Sequence, residues 1–283
     1  MTDGTKGKQR SILITGCSSG IGYDAAHTLA KRGWRVFATC RAEADAERLR
    51  GEGLESWALD YEDEASVDAG AEEALRRCDG KLDALYNNGA WALPGPTEDV
   101  PRGGLRHIFE ANLFGPHQLT CKVLPAMRAA GAGRIVNCSS VLGLVASPYR
   151  GPYNATKFAM EGLTDTLRRE IYDTPIHVIL IEPGPVKTAI RNNARKGFER
   201  WMNREGSSHP QEIWDQIIRR LYKEGKTKDR FELPPSAVTA KLIHALEAPR
   251  PSERYFVTTP TYLGNIIRRF LTTRQQDRIL KKG

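Results

Sequence analysis

Residues 11–22 read SILITGCSSGIG and join a short apolar run to a glycine-rich turn. The run over residues 11–15 is typical of a buried strand, and it stops at Gly16. Glycines at positions 16, 20 and 22 let the chain turn sharply and let a phosphate approach the backbone. A helix that begins here offers that phosphate free N–H groups and a positive dipole end. The stretch therefore predicts a dinucleotide site, and the alternative is an ordinary glycine turn.

Strands and helices alternate along the rest of the chain. This pattern predicts an α/β fold with parallel β-α-β units, a single doubly wound (Rossmann) domain whose mostly parallel seven-stranded sheet is flanked by helices. Further apolar runs that predict strands lie at 34–39, 56–59, 82–86, 134–138, 176–181 and 254–257. Helical stretches are predicted at about 21–32, 102–130 (bent or bounded near Gly115 and Pro116) and 152–172.

No repeat or linker divides the chain, so we expect one domain over residues 1–283. Residues 1–10 are polar and form a predicted loose tail. Residues 190–233 interrupt the alternation with a charged insertion, which we expect to be a substrate lid over the mouth of the site. Residues 260–283 form a predicted basic helical extension.

The composition predicts a soluble protein without a transmembrane helix or a metal site. Hydrophobic residues make up 40% of the chain and charged residues 27%, which is ordinary for a soluble protein. No apolar run is long enough for a transmembrane helix. The five cysteines are scattered, odd in number and without metal spacing, so we expect reduced thiols in the cytoplasm and no metal site.

The net charge of +8 is concentrated near the C-terminus. Residues 191–230 and residues 262–283 each carry a net charge of +5. A solvated surface is the simplest interpretation, and an anionic substrate or an acidic membrane surface are the alternatives. We expect no nucleic-acid partner, because no recognised binding module accompanies the basic residues.

A tyrosine and a lysine in the second half of the chain predict an acid/base site. Tyr153 and Lys157 stand four residues apart and share one helix face, and Ser140 lies thirteen residues before the tyrosine. Lowering a phenol pKa from about 10 to about 7 requires roughly 4 kcal/mol, which one charge at ~4 Å supplies at an effective dielectric of ~20. Tyr222 and Lys226 have the same spacing, but they lie in a charged segment without that serine.

The end of the second predicted strand favours NADP(H) over NAD(H). NAD sites usually have an acid there for the ribose 2′-hydroxyl, whereas this chain has Cys40 followed by Arg41. A guanidinium suits a 2′-phosphate; the alternative is that Arg41 is a surface or helix-capping residue. Asp60, at the end of the third strand, is placed to meet the adenine ring or to cap the next helix.

Four motifs in this order resemble the short-chain dehydrogenase/reductase family over roughly residues 10–190. They are the glycine turn, Asn87-Asn88-Gly89-Ala90, Ser140 with Tyr153 and Lys157, and the sequence PGPVKT at 183–188. The family usually reads Asn-Asn-Ala-Gly, so its last two residues are exchanged here. Within the family the chain looks most like the group with 17-beta-hydroxysteroid and retinol dehydrogenases and acyl-dihydroxyacetone-phosphate reductases. The resemblance implies an enzyme acting on CH–OH groups with NAD(P) as acceptor, and a homodimer or homotetramer.

The resemblance also implies catalytic roles. Tyr153 would exchange a proton with the substrate alcohol or carbonyl, and Lys157 would lower its pKa and bind the nicotinamide ribose. Ser140 would hold the substrate oxygen. Asn112 would anchor a proton-relay water; the alternative is a polar helix residue that faces solvent.

The implied cofactor site spans several loops. Thr188 and the Val186 backbone would hold the carboxamide, and Asn88 would lie near the adenosine ribose or mainly lock the fourth strand. The full implied set is Gly16, Ser18, Ser19, Gly20, Ile21, Gly22, Arg41, Asp60, Tyr61, Asn88, Gly89, Ala90, Tyr153, Lys157, Pro183, Gly184, Val186 and Thr188.

Apolar residues in the expected substrate walls predict a steroid-, retinoid- or lipid-like carbonyl or alcohol substrate. Together with Ser140, the predicted substrate residues are Trp91, Leu93, Leu142 and Tyr149, and the walls also supply Leu144, Val145, Phe198 and Trp201. The alternative is that several of these side chains pack the lid.

Helical spacing of apolar residues at 263, 266, 267, 270 and 271, with flanking arginines, indicates either peripheral membrane contact or packing on the domain or another subunit. For function, we expect an NADP(H)-dependent oxidoreductase that interconverts a ketone or aldehyde and an alcohol. The alternatives are a non-catalytic NADP(H)-binding regulator on the same fold and a membrane-associated scaffold.

Overall fold

Seven parallel strands form the centre of the molecule. The computed structural model describes residues 9–222 and 230–281, so most of the predicted tail and Lys226 lie outside the described residues. The strands are β1 (Ser11–Ile14), β2 (Arg35–Cys40), β3 (Glu55–Ala58), β4 (Ala84–Asn87), β5 (Gly133–Cys138), β6 (Ile176–Pro183) and β7 (Arg254–Val257). Their order in the sheet is β3-β2-β1-β4-β5-β6-β7, and every neighbouring pair is parallel. The predicted seven-stranded Rossmann sheet is confirmed.

Helices connect the strands and cover both faces of the sheet. They are α1 (Gly20–Lys31), α2 (Glu43–Gly51), α3 (Glu64–Arg77), α4 (Arg102–Phe109), α5 (Gly115–Ala130), α6 (Gly151–Glu170), α7 (Ile190–Trp201), α8 (Gln211–Leu221), α9 (Ser236–Glu247), α10 (Thr259–Phe270) and α11 (Thr273–Leu280). In the described part of the chain, no helix combines the length and apolarity needed to cross a membrane.

Two apolar layers hold the helices on the sheet. Because successive side chains of a strand point to opposite faces, Ile12 and Ile14 belong to one layer and Leu13 to the other. The first layer takes its helical residues from α1, α2 and α9, and the second takes most of them from α3 and α5. The sheet is therefore buried on both faces, which explains why its strands are nearly continuous apolar runs.

The order of the strands reverses beside β1, and this places the site. β2 follows β1 on one side, while β4 lies on its other side. Ligands of such sheets bind in the crevice outside the carboxyl ends of the strands at this point. The loops after β1 and β4 meet there, so closely that a Cβ atom on Gly16 would lie 2.7 Å from Cα of Gly89.

One segment between α4 and α5 departs from regular α-helix. Residues Glu110–Phe114 form a π-helical turn inside the stretch predicted as one helix. Pro116 has no N–H, so it cannot donate the α-helical bond to the carbonyl of Asn112 four residues earlier. The predicted bend near Gly115 and Pro116 therefore takes the form of a wider turn just before them, of a kind often found at functional sites.

Candidate active site

Helix α6 carries the tyrosine–lysine pair. It begins at Gly151 with a proline in its first turn, so Tyr153 and Lys157 lie in the first two turns on one face. Both side chains are buried. Ser140 follows the end of β5, and its Oγ accepts a hydrogen bond from the N–H of Leu142 at 3.1 Å. The Ser140 hydroxyl lies close enough to the phenol of Tyr153 to lower its pKa, so the structure brings the three predicted catalytic groups together.

Burial controls the protonation of the pair. Nζ of Lys157 lies 5.6 Å from the ring centroid of Tyr153 and donates to the carbonyl of Cys138 at 2.8 Å. Burial raises the pKa of Tyr153, and the nearby hydroxyl of Ser140 opposes that shift. Burial also lowers the pKa of Lys157. The pKa of Tyr153 therefore lies above its ordinary value rather than below it as expected, because removing the phenol from water disfavours its anion. Tyr153 is a protonated phenol at neutral pH.

Asn112 is fully buried, so the interpretation as a solvent-facing polar residue is wrong. Its side chain lies in the π-helical turn and makes both hydrogen bonds with the backbone of Trp91: Oδ1 accepts from the N–H at 3.0 Å and Nδ2 donates to the carbonyl at 2.8 Å. Nδ2 also donates to Oγ1 of Thr156 on α6 at 3.2 Å. Asn112 thus ties the loop after β4 to the helix that carries Tyr153.

The glycine turn, residues 16–22, exposes backbone with little side-chain cover, and we call this stretch the cradle. Gly16 and Gly20 have positive φ angles of 68° and 62°, a conformation that favours glycine. A Cβ atom on Gly22 would lie 2.4 Å from the carbonyl oxygen of Gly16, so the turn admits no side chain there. Ser19 is the N-cap of α1 but makes no side-chain capping bond, which leaves the first N–H groups of this helix without that partner. These features fit a bound pyrophosphate.

Neighbouring residues lock the cradle to the sheet. Oγ1 of Thr15 accepts from the N–H groups of Asn88 at 3.0 Å and Gly89 at 3.2 Å. The Asn88 side chain donates back to the carbonyl of Thr15 at 3.0 Å. These bonds favour the alternative that Asn88 mainly locks the fourth strand. The Ser18 carbonyl accepts from Arg48, and Ile21 and Ala90 are half-buried beside the crevice.

At the adenine end, the structure excludes the helix-capping alternatives for Asp60 and Arg41. The next helix is capped by Asp63, whose side chain accepts from Ala65, so Asp60 is not its cap. The Asp60 carboxylate accepts instead from the N–H of Glu62 at 3.1 Å. The Arg41 side chain is 61% exposed, and its nearest acid is Glu62 at 3.9 Å. Arg41 is therefore an accessible cation rather than a helix cap.

The sequence predicts that Tyr61 binds the cofactor, but the structure buries its side chain and hydrogen-bonds it to other residues of the protein. It is buried, and its hydroxyl bonds Oγ1 of Thr15 at 2.7 Å and donates to Oδ1 of Asn87 at 2.7 Å. Nδ2 of Asn87 in turn donates a hydrogen bond to Oδ1 of Asn137 at 2.9 Å. The network joins the ends of three strands, so only the backbone of Tyr61 remains to face a ligand.

The loop after β6 borders the cradle. An isolated parallel bridge pairs Val186 with Leu233, through the N–H of Lys187 and the carbonyl of Pro185. In such a bridge the N–H and carbonyl of Val186 itself point the other way, as a carboxamide contact requires. Thr188 packs on Gly20, whose Cβ would lie 3.2 Å from it. Pro183 ends β6, and a Cβ atom on Gly184 would lie 2.1 Å from Oγ1 of Thr258, so the loop admits no side chain there.

The predicted substrate residues fall into two groups. Trp91, Leu93 and Leu142 form one apolar cluster with Tyr153. Leu93 is fully buried in it, as expected if it packs the interior. The second group belongs with the lid helices α7 and α8: Phe198 packs with Trp214, and Tyr149 borders the same cluster.

Three other wall residues also pack internally. Nε1 of Trp201 donates to His107 at 2.7 Å, so this indole is fixed against α4. Leu144 and Val145 lie in the loop that follows Ser140 and are buried. The lid-packing alternative therefore describes Phe198 and Trp201, whereas Trp91, Leu93 and Leu142 share one cluster with Tyr153.

A buried charged cluster beside α6 was not predicted. Glu161 lies one turn after Lys157 on the same helix face, and Glu182 ends β6; both contact Nη1 of Arg254 on β7. Asp165 accepts two bonds from the same arginine, each 2.8 Å long. The i+4 spacing from Lys157 was the one signal in the sequence for Glu161. Among the described residues, no group of His, Cys, Asp and Glu has the arrangement of a metal site.

Comparison with known proteins identifies the family. The family model for short chain dehydrogenase matches residues 10–198. The chain is 39% identical over 273 residues to the uncharacterized oxidoreductase YbbO of Escherichia coli strain K12, covering 96% of this chain and 94% of that protein. It is 32% identical to the NADPH-dependent 3-dehydrocapnine reductase of Ornithobacterium rhinotracheale (96% of each chain). It is 34% identical to mouse retinol dehydrogenase 16 (88% of this chain, 80% of that one).

Solved structures agree. A short-chain dehydrogenase from Streptomyces avermitilis superposes with a TM-score of 0.78 at 26% identity, covering 97% of both chains. A short chain dehydrogenase/reductase from Burkholderia phymatum in complex with NAD has a TM-score of 0.76 at 26% identity, covering 96% of this chain and 95% of that one. The chain belongs to the short-chain dehydrogenase/reductase family. It is an oxidoreductase that acts on alcohol or carbonyl groups with NAD(P) as acceptor.

Proposed function

We propose that this protein is an NADP(H)-dependent reductase of a hydrophobic ketone or aldehyde, with Tyr153 as the proton donor. The observation that carries the proposal is the buried phenol of Tyr153, which lies near the hydroxyl of Ser140 and has Nζ of Lys157 5.6 Å from its ring centroid. The phenol keeps its proton at neutral pH and is therefore in the form that can donate it to a carbonyl oxygen. In the oxidation of the alcohol, the phenolate form of Tyr153 accepts the proton.

Each side chain has a defined task in this reaction. The bound nicotinamide supplies or accepts the hydride. Tyr153 donates its hydroxyl proton to the substrate oxygen, and the Ser140 hydroxyl donates a hydrogen bond to the same atom. The ammonium of Lys157 stabilises the phenolate that remains, a contribution that grows as charge develops. Asn112 holds the Trp91 backbone and Thr156 of α6 in fixed relation, so the apolar wall and the proton donor keep their spacing.

The preference for NADP(H) within the proposal depends on Arg41. No acid ends β2: Cys40 occupies that position and is buried, and the exposed guanidinium of Arg41 follows it. A 2′-phosphate would accept hydrogen bonds from this cation. A relative named as NADPH-dependent supports this preference, while a structural neighbour that holds NAD makes it a point for experiment.

A hydrophobic substrate is supported by the surroundings of Tyr153. Trp91 and Leu142 pack in one cluster with the tyrosine ring. A relative named as a retinol dehydrogenase points to the same kind of substrate. We extend the proposal to a homodimer or homotetramer in the cytoplasm, with peripheral membrane contact through the basic C-terminal helices.

A carbonyl panel followed by NADPH oxidation at 340 nm tests the proposed reaction. All-trans-retinal, a 17-ketosteroid and a long-chain aliphatic ketone are compared with acetone, each with NADPH and with NADH. We expect at least one hydrophobic carbonyl to be reduced with a kcat/KM at least about 100-fold above that of acetone, since burying each extra CH₂ is worth about 0.8 kcal/mol. Preference for acetone would contradict the hydrophobic substrate, and a protein that binds NADPH but reduces no carbonyl would be the non-catalytic regulator.

A further inference from the structure

Helix α10 presents its apolar side to the outside of the molecule. Tyr262, Leu263, Ile266 and Phe270 lie on one face of the helix and are between 49% and 77% exposed. The inward face has small residues instead, Thr261 and Gly264, which are buried. An ordinary surface helix has the opposite arrangement, so this apolar face calls for a partner.

Arginines lie in the same C-terminal segment as this apolar face. Arg268 and Arg269 lie in the last turn of α10, and Arg274 and Arg278 project from α11, where Ile279 adds a further exposed apolar side chain. All four arginines are exposed. Residues 262–283 contain six basic residues and one acid. We use "docking face" for Tyr262, Leu263, Ile266, Phe270 and Ile279 together with these four arginines.

The charge of the docking face selects its partner. If two copies of the chain paired through this face, a two-fold axis would bring two segments of charge +5 together, which opposes association. An anionic lipid surface satisfies both features, because acyl chains cover the apolar residues and headgroups meet the arginines. We propose that the docking face binds peripherally to an anionic lipid bilayer.

The inner side of α10 lies directly on the active-site loops. A Cβ atom on Gly264 would lie 3.3 Å from Cγ2 of Val141 and 3.6 Å from Cγ2 of Val145, in the loop that follows Ser140. At the start of the helix, a Cβ atom on Gly184 of the predicted cofactor loop would lie 3.1 Å from Oγ1 of Thr261. One helix diameter of about 10 Å therefore separates the docking face from both loops.

This position gives the docking face a role in substrate supply, an inference that rests on the proposed reductase function. A hydrophobic carbonyl dissolved in the bilayer would enter the site from the membrane side of α10 without first dissolving in water. Membrane binding then raises the rate with a lipid-dissolved substrate and leaves the chemistry unchanged.

Vesicle flotation of the full chain tests the membrane contact directly. We compare vesicles of phosphatidylcholine with vesicles containing about one third phosphatidylserine. The variants are Leu263→Ser/Phe270→Ser, which removes apolar contacts, and Arg268→Gln/Arg269→Gln/Arg274→Gln/Arg278→Gln, which removes charge. Tyr172→Ser is the matched control, because Tyr172 is 84% exposed and lies at the far end of α6.

We expect the wild type and Tyr172→Ser to float only with the anionic vesicles, and both docking-face variants to lose at least about 100-fold in partition, at roughly 1 kcal/mol per arginine. A wild type that stays in the soluble fraction with anionic vesicles would overturn the proposal. So would an apolar variant that binds as well as the wild type. If that variant instead converted an oligomer into monomers, a second copy would be the occupant.

Activity measurements distinguish a role of the docking face in substrate supply from a role in catalysis. With retinal dissolved in anionic vesicles, Leu263→Ser/Phe270→Ser should lose at least about tenfold in rate, whereas a water-soluble aldehyde in buffer should be reduced at the wild-type rate. Equal loss with both substrates would contradict the supply role. If no carbonyl is reduced at all, the proposed function fails, while flotation still reports on the docking face.

Discussion

Gly89 packs directly against the ring of Tyr61. A Cβ atom at position 89 would lie 3.1 Å from Cε2 of Tyr61, closer than an ordinary van der Waals contact. The hydroxyl of Tyr61 is held on its far side by Thr15 and Asn87. The ring therefore cannot easily retreat. The exchange of alanine for glycine in the family's Asn-Asn-Ala-Gly motif has a steric reason, since the small residue at 89 makes room for a large one at 61.

Gly89→Ala should destabilise the protein by about 1–3 kcal/mol, the usual cost of an overpacked methyl group. Urea denaturation measures the free energy of unfolding. Gly162→Ala is the matched control, because nothing lies within 4 Å of a Cβ atom there and alanine favours the helix. In the double variant Tyr61→Leu/Gly89→Ala, the smaller side chain should relieve the clash. Effects that add to within about 0.5 kcal/mol would contradict the pairing.

Arg41 should determine the preference for NADP(H). Arg41→Gln removes a cation that is accessible at the end of β2, and a charged hydrogen bond of this kind is worth about 1.5–3 kcal/mol. We expect KM for NADPH to rise about 10- to 100-fold and KM for NADH to stay the same. Arg50→Gln is the control, since that arginine is also exposed but pairs with Glu43 on α2. Equal changes for both cofactors would show that Arg41 does not read the 2′-phosphate.

Glu182 should make stability depend on pH between about 4.5 and about 8. It is fully buried, and burial together with the charge of Glu161 raises its pKa to about 8, although Arg254 opposes the shift. Arg254 is shared among three carboxylates, Glu161, Asp165 and Glu182, and Arg168 pairs with Asp165. One arginine therefore does not neutralise the whole cluster, and Glu182 retains its proton at neutral pH.

The raised pKa of Glu182 determines the direction in which stability changes with pH. The folded state holds a proton that the unfolded state loses above its ordinary pKa near 4.5, so the stabilisation is complete below that pH and is lost as pH rises to about 8. Glu182 alone lowers the free energy of unfolding by about 1 kcal/mol per pH unit over this range. In Glu182→Gln, thermal unfolding from pH 6 to pH 9 should show a smaller decline in Tm than in the wild type. Glu73→Gln is the control, because hydrogen bonds from Arg76 and Arg77 lower its pKa to about 2, so it does not titrate in this range. Parallel curves for Glu182→Gln and the wild type would contradict the assignment.

The sheet and the catalytic pair could be predicted because their signals are local. Each strand is a short apolar run closed by turn residues, and the i+4 spacing of Tyr153 and Lys157 needs only a helix to bring the two side chains together. The close approach of Gly16 and Gly89 follows from the parallel order of β1 and β4, which the alternation of elements implied.

Contacts between distant segments could not be predicted. Arg254 and Glu182 are 72 residues apart in sequence, and nothing local marks either as buried. The family resemblance places Tyr61 in the cofactor site, yet Gly89 makes room for its ring and Gly115 for its backbone and Cβ. The pKa of Tyr153 could not be inferred from the spacing of the pair either, because burial outweighs a nearby charge and depends on the whole fold.

The most direct test of the reaction is the kcat/KM of Tyr153→Phe with the best hydrophobic carbonyl and NADPH. The substitution removes one hydroxyl from a buried ring, and we expect a fall of at least about 100-fold, the usual contribution of a positioned proton donor. NADPH affinity should change by less than about threefold in a fluorescence titration, a change worth under 1 kcal/mol. Tyr222→Phe is the matched control, because that hydroxyl contacts Glu199 on the lid and should leave kcat/KM unchanged. A Tyr153→Phe enzyme as active as the wild type would contradict the assignment of Tyr153 as the proton donor.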